Sequence, residues 1–475
     1  MLITSKLIFL GYGAVAKCVW SYLPKYLEVD PSQVHLVDKT MTAFRGPRLT
    51  GVNVWEWHID AISIHSLFNE IGVSEGDIVI DLTFSSATYS FIHACLLRGL
   101  VYINTSIEDQ SDLFTGRSIA FQQQYVEQMC RDFDKSSGIK ASILTECGQN
   151  PGMIQHYVLH ALHEMNVMDD PATKDDYSRE TLTTVIDRYH IGSILMSEID
   201  GLKTSRPLQD NCLYNTWSVA GFICEALDAT ELVRGTDNSY IQPELTELHP
   251  VLNKMFAPYQ TGTDVVFLKN SGLNTYLDSI CPTLQNGHIH FTNFKGRLIH
   301  HGEVFELARY FGPKAPFMSY VYQNSPYMDQ SMASLLKKCD ESDLKLMVQD
   351  PASFCVMDNI NVPKEHSMKG FDSIGCTIFC GTEDIERIYW CGSVISDADT
   401  QSIPEFSPTI VQVAAGVLSG LSYLLEPTTP PKFYQPADLP TPYMIEKAKP
   451  LLGKFFFTEI PVELFSSELV IQIKS

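Results

Sequence analysis

The first forty residues constrain this chain more than any other stretch. The short apolar strand Lys6-Leu-Ile-Phe-Leu10 runs into Gly11-Tyr-Gly13-Ala14-Val15-Ala16, and Val34-His-Leu-Val-Asp38 follows about 20 residues on. Strand, glycine turn, helix and a second strand ending in a carboxylate make a βαβ unit laid out for a dinucleotide. Gly11 permits the tight turn, Gly13 lets the backbone approach a pyrophosphate, and Ala16 lets the helix pack close to the strand. The helix start at Ala14 and Val15 offers N–H groups and a positive dipole end to phosphates. Asp38 can hydrogen-bond both ribose hydroxyls and repels a 2′-phosphate, which favours NAD over NADP. A secretory-signal reading of Ala14-Val-Ala16 fails, because Leu7–Leu10 is far shorter than the roughly 7–15 apolar residues such a segment needs.

The alternation continues. Val52–Ile59, Asp77–Phe84, Val101–Thr105 and Ala141–Glu146 read as strands, with helical stretches at Ile62–Ile71, Ser86–Arg98 and Phe121–Ser136 between them. Together with the two opening strands they predict an α/β fold, a doubly wound Rossmann-type parallel sheet with right-handed crossovers. Asn150-Pro151-Gly152-Met153 then suits a helix start, with Asn150 as N-cap and Pro151 at the first helical position. It also falls at the carboxyl edge of the sheet, where ligands bind in such folds. The cofactor contacts expected along that edge are Gly11, Gly13, Ala14, Val15, Ala16, Asp38, Thr83, Phe84, Ser85, Thr105, Asn150 and Pro151.

Asp169–Glu180 is charged and lacks apolar periodicity, so it reads as a loop. From Thr181 to about Leu298 β-prone runs separated by turn signals predict a mostly antiparallel sheet with helices. Thr409–Leu425 reads as a buried helix, and Pro427–Pro442 is proline-rich. The expected division is a nucleotide domain over 1–150, an α+β substrate and dimerisation domain over 151–400, and a segment 401–475 packing back on the first domain.

Composition excludes several classes. The formal net charge of −22 over 475 residues opposes binding to nucleic acid, and is compatible with a cationic substrate. No apolar run reaches the ~20 residues that span a bilayer. Twelve cysteines are scattered without a CxxC pair, which points to reduced structural thiols in a cytoplasm.

Three patches in the second half carry chemistry. Glu198-Ile-Asp200 precedes Asn215-Thr-Trp217-Ser-Val-Ala-Gly-Phe-Ile-Cys-Glu225; a tryptophan face flanked by carboxylates can hold an organic cation, although a core tryptophan with surface glutamates reads the same way. His288-Ile-His290 and His300-His301-Gly-Glu303 are rich in histidine, but no third ligand stands at metal spacing, so no metal is expected. One histidine serving as base or substrate ligand fits better. Lys369-Gly370-Phe371-Asp372-Ser373-Ile374-Gly375 sets a carboxylate between glycines, either a loop lining a pocket or a plain turn.

Taken together, the sequence resembles the bacterial homospermidine synthases, relatives of the saccharopine dehydrogenase-like family. The most specific pieces are Gly148-Gln-Asn-Pro-Gly-Met153 and Asn215–Glu225. Tyr102–Glu108, Glu198–Asp200, Leu298–Glu303, Phe371-Asp372 and Tyr389–Ser393 support them. The resemblance implies an NAD retained as a prosthetic group. In that family putrescine is oxidised by hydride transfer, the imine is deaminated, a second amine attacks, and the hydride returns to give homospermidine, and the resemblance implies the same cycle here. It further implies Trp217 as the cation–π residue, Glu108, Glu198, Glu225 and Asp372 as amine-binding and proton-handling carboxylates, Asn150 and His301 as pocket positions, and a cytoplasmic homodimer. One departure stands out: the family tends to carry an aspartate just before a serine pair where this chain has Thr83-Phe84-Ser85-Ser86, with Asp81 further back.

Two other readings compete. A saccharopine or carboxynorspermidine type of NAD(P)-dependent reductase needs a basic residue for its substrate carboxylate, whereas these patches are acidic. A non-catalytic NAD-bound polyamine sensor would bind putrescine without releasing ammonia.

Overall fold

The computed structural model describes residues 2–44, 49–83, 87–107, 118–204, 207, 212–233, 235, 246–248, 265–340, 343–344, 356–359, 369–382, 384–400, 406–466, 469 and 471–473. Two compact units emerge: residues 1–153 with 410–451, and 154–409 with 452–475.

The first unit holds strands β1 (Leu7–Leu10), β2 (Val34–Asp38), β3 (Asn53–Glu56), β4 (Ile78–Asp81), β5 (Val101–Asn104) and β6 (Ile143–Leu144). Helices α1 (Ala14–Tyr22), α2 (Ser63–Ile71), α3 (Thr88–Arg98) and α4 (Ile119–Ser137) alternate with them. The sheet runs β3-β2-β1-β4-β5-β6, every pair parallel, and Phe433–Tyr434 adds a seventh strand beside β6. This is the doubly wound order, whose direction reverses beside β1. Ile8, Leu10, Val37 and Val79 of the strands pack with Ile64, Phe68, Phe91 and Ile92 of the helices. β1 and β4 are buried along their whole length, as continuous apolar runs in a covered parallel sheet must be.

The expected strands are present with shorter paired cores, because polar ends such as Asp77 and Thr83 leave the ladder to make side-chain turns. The 401–475 segment divides between the units rather than returning whole to the first. Helix Pro408–Leu424 lies in the first unit from Ile410 onward. A Cβ on its Gly416 would stand 1.9 Å from the Gly148 oxygen, and one on Gly420 2.5 Å from the Cys147 sulfur. Two glycines one turn apart thus let this helix lie directly on the backbone after β6.

The second unit is built on a mixed sheet. β7 (Ile191–Asp200) pairs in parallel with β12 (Phe317–Gln323) and antiparallel with β13 (Phe371–Cys380). β13 is followed by β14 (Arg387–Ser396) and then by Lys454–Ile460, both antiparallel. On the other side β8 (Ala229–Val233) and β9 (Val265–Ser271) continue past β12. A long hairpin, β10 (Thr275–Gln285) and β11 (His288–Ile299), turns at Asn286-Gly287, both at positive φ as a two-residue hairpin turn requires. Helices α5 (Met153–Asp169), α6 (Arg179–Arg188), α7 (Val219–Leu227) and α8 (Gly302–Phe311) accompany the sheet. Leu195, Ile199, Phe317 and Val321 share one face with the core formed by Leu277, Ile280 and Trp390. The chain from Arg179 is helical where part of a charged loop was expected, because Ser178 caps it by accepting the Thr181 N–H.

Candidate active site

In the first unit several of the expected cofactor residues are described at or after the carboxyl ends of the parallel strands. Gly11 ends β1 at φ +80°, and a Cβ there would press to 3.0 Å on the Leu82 carbonyl oxygen. Gly13 caps α1, and nothing lies within 4 Å of where its Cβ would be, so the backbone is open to a ligand. Ala16 is fully buried. Asp38 accepts the Tyr12 N–H at 3.0 Å and the Thr40 N–H at 3.1 Å, which fixes its carboxylate at the end of β2. Thr105 and the 148–152 loop follow β5 and β6.

Two details of that edge differ from the sequence reading. The Asn150–Pro151 bond is cis and the helix begins at Met153, so Asn150 is not an N-cap and Pro151 is not its first residue. Instead the loop closes on itself: the Gly148 N–H donates to Pro151 and the Met153 N–H to Gly148. Asp81, further back than the family's aspartate, is buried, and its oxygens accept from Thr83 (N–H at 3.0 Å, hydroxyl at 2.6 Å) and the Tyr102 hydroxyl at 2.7 Å. Burial holds its carboxyl above the usual range. Phe84, Ser85 and Glu108 lie outside the described residues.

The second unit gathers the other candidates on one sheet face. Side chains two apart on a strand point the same way, so Glu198 and Asp200 share a face of β7. The register sets Tyr322 beside Glu198 and Asp372 beside Asp200, with Tyr320 one step further along the same face. Neighbouring odd-numbered positions carry the apolar core. Tyr320 donates its hydroxyl to Glu198, Thr216 donates to Asp200 at 2.5 Å, and Thr409 donates to Asp372. Trp217 donates its indole N–H to Tyr322 at 3.2 Å. Its ring is set by α7: Ser218 accepts the Gly221 N–H at 3.0 Å, and a Cβ on Gly221 would meet the indole at 2.7 Å. His301, stacked on Tyr320 at 3.9 Å between ring centres, lies 3.2 Å from Glu303 and 3.6 Å from Glu225.

Electrostatics follow from this crowding. Burial, with Glu198 nearby, pushes the Asp200 carboxyl up to about 7. Asp372 is raised by burial and by the charges of Glu198 and Asp200. Tyr320 is raised by burial and Glu198, and Tyr322 by burial and Asp200. Burial would lower His301, but Glu303 and Glu225 outweigh it and hold the imidazolium well above its usual range. One Glu303 oxygen is buried with no hydrogen-bond partner among the described residues. Such a face, rich in acceptors and carrying protons it would exchange for cations, is suited to an organic polyammonium ligand.

The structure therefore brings Glu198, Trp217, Asp372, Glu225 and His301 into one unit, the first three around a shared sheet face and the last two as a pair. Asp372 lies within a strand, not in a glycine loop, because Phe371–Cys380 pairs on both edges. The histidine patch splits: His288 and His290 are exposed beside the hairpin turn, a strand length from buried His300 and His301. Tyr320, Tyr322 and Thr409 went unread in the sequence. The tyrosines' i, i+2 spacing was visible, but only the register of β12 with β7 gives it meaning.

The parallel, doubly wound order of the first unit is that of a dinucleotide-binding domain. Residues 7–135 match the family described as saccharopine dehydrogenase NADP binding domain. A homospermidine synthase from Mesorhizobium japonicum is 23% identical over 448 residues, covering 89% of this chain and 84% of the relative. One from Blastochloris viridis is 22% identical over 441 residues, covering 89% and 85%. The solved Legionella pneumophila homospermidine synthase in complex with NAD shares the fold at a TM-score of 0.75, with 20% identity over 97% of this chain and 92% of that one. The yeast saccharopine dehydrogenase (L-Glu forming) shares it at 0.53, with 11% identity. The chain is thus similar over most of its length to homospermidine synthases, and its residues 7–135 match the saccharopine dehydrogenase NADP binding domain.

Proposed function

We propose that this protein is a homospermidine synthase. It transfers a 4-aminobutyl group from putrescine to a second putrescine, or from spermidine, and releases ammonia. The observation that carries this reading is the shared face of Glu198, Asp200, Asp372, Tyr320 and Tyr322, with Trp217 hydrogen-bonded to its edge. Each ammonium of a diamine must exchange water for charge-assisted hydrogen bonds, and paired carboxylates supply them. A carboxylate substrate, as in the reductase reading, would instead be repelled by these carboxylates, and the nearby His301 imidazolium is already engaged by Glu303 and Glu225.

The open backbone at Gly13, the positive φ of Gly11 and the fixed carboxylate of Asp38 fit NAD, and Asp38 would oppose the 2′-phosphate of NADP. Bound tightly, NAD supplies a hydride acceptor for the first amine and a hydride donor for the new imine, so no net oxidation occurs. Trp217 and the carboxylates hold the cationic substrate. Glu198, through the Tyr320 hydroxyl, takes the proton an ammonium must lose before it reacts. His301, kept protonated by Glu303 and Glu225, donates to departing ammonia. We read it as a cytoplasmic enzyme that assembles as a homodimer.

Incubation with labelled putrescine tests this. Labelled homospermidine and one ammonia per turnover are expected, with flat absorbance from reduced nicotinamide. Steady accumulation of NADH favours the reductase reading, and binding of putrescine without ammonia release favours the sensor.

A further inference from the structure

On α5, apart from the face just described, His160, His163 and Glu164 place three acceptor atoms together. Their nearest ligand atoms all lie within 4.8 Å of one another. Nδ1 of His163 is 3.5 Å from Oε1 of Glu164, and Nε2 of His160 is 3.8 Å from the same oxygen. The other nitrogens have their own contacts. Nε2 of His163 lies 3.0 Å from the Lys174 carbonyl, which only accepts, so that nitrogen is the donor and Nδ1 is the atom turned toward Glu164. Nδ1 of His160 lies 2.9 Å from the Tyr177 hydroxyl.

This leaves an arrangement that neutral side chains do not satisfy. His163 is 5% exposed, its ring stacked at 3.7 Å on Tyr177, and its Nδ1 has no hydrogen-bond partner among the described residues. Nδ1 of this buried ring is aimed at a carboxylate oxygen without hydrogen-bonding it, an arrangement that a cation between the two would satisfy. At 3.5 Å a shared proton would serve His163 and Glu164 poorly and His160 not at all. A tetrahedral ion with bonds of about 2.0–2.1 Å holds its ligands about 3.4 Å apart, near the 3.5 and 3.8 Å of the two imidazole–carboxylate pairs. We propose that His160, His163 and Glu164 bind a borderline divalent transition metal, zinc or a neighbour, as a His–His–Glu site.

The surroundings are those of a metal centre. Histidine ligands commonly donate their second N–H to a backbone carbonyl, and Lys174 supplies one. The Glu164 side chain is 36% exposed, so the fourth position opens to water. Mixed imidazole and carboxylate donors favour zinc, copper or nickel over magnesium or calcium. The spacing His-x-x-His-Glu sets His163 (i+3) and Glu164 (i+4) both beside His160 on one helix turn. Because His163 is tied to Lys174 and stacked on Tyr177, the bound metal would pin the 170–178 loop to α5.

The test uses full-length, untagged protein with Zn2+ and Co2+ as probes, and does not depend on the activity proposed above. One equivalent of Zn2+ should survive dialysis, and Co2+ should give tetrahedral visible bands that Zn2+ displaces. Zn2+ should raise the thermal midpoint and slow tryptic cleavage after Lys174 several-fold. Glu164→Gln and His160→Ala, at partly exposed positions, should each weaken Zn2+ at least tenfold while the metal-free midpoint stays put. Absence of retained zinc overturns the proposal. So does a thiolate charge-transfer band in the Co2+ protein, or unchanged zinc affinity in both variants.

Discussion

Lowering the pH from 8 to 6 should weaken putrescine binding about tenfold. Asp200 is fully buried beside Glu198, and its carboxyl is pushed up to about 7. At pH 8 about nine-tenths of it is ionised and at pH 6 about one-tenth, while both putrescine amines stay charged throughout. If the diamine requires the carboxylate, its association constant follows the ionised fraction, a loss of ~1.4 kcal/mol across this window. Asp372, raised by the same burial and by its acidic neighbours, steepens the dependence. The empty protein shows the mirror image. A folded-state value above the unfolded one gives Asp200 a contribution that is full below about pH 4 and lost as pH rises through about 7. Calorimetric titration of the NAD-bound protein in buffers of different ionisation enthalpy gives both the affinity and the protons released, close to one per putrescine at pH 6. Asp200→Asn should flatten the slope and hold affinity near the low-pH value. A wild-type affinity independent of pH over this range, with no proton release, would refute the placement of a substrate ammonium on this face.

Other perturbations probe single contacts. Tyr320→Phe removes the hydroxyl that Glu198 accepts, leaving a buried acceptor short of a donor; a stability loss of about 1–3 kcal/mol in urea unfolding and a fall in kcat are expected. Gly221→Ala drives a methyl to 2.7 Å from the Trp217 ring, so KM for putrescine should rise several-fold while calorimetry finds NAD affinity unchanged. Asp38→Ala frees the Tyr12 and Thr40 N–H groups and removes the charge opposed to a 2′-phosphate, so the ratio of NAD to NADP affinity should drop toward unity in parallel titrations.

How far the sequence could be read depended on whether the information was local. Gly11, Gly13, Ala16 and Asp38 are fixed by spacing within one βαβ unit, and the structure puts them at one sheet edge. Helix starts were less legible. Asn150-Pro151 carries cap chemistry, yet the loop folds back through Gly148 and the helix waits for Met153. Asp81 illustrates the same limit: a carboxylate at a strand end reads as available, while Thr83 and Tyr102 already occupy its oxygens.

By itself, the sequence determined the nucleotide unit, the alternation of strands and helices, and the acidic and aromatic character of the second half. Those depend on short-range periodicity and on residue chemistry. Only the tertiary structure decided which acidic groups meet. Glu198, Tyr322 and Asp372 are far apart in the chain and share a face because β12 pairs in parallel and β13 antiparallel with β7. A shift of either strand by one residue would turn its side chains into the apolar core. That register, rather than any motif, buries ordinary carboxyls and phenols against one another and so raises their pKa values.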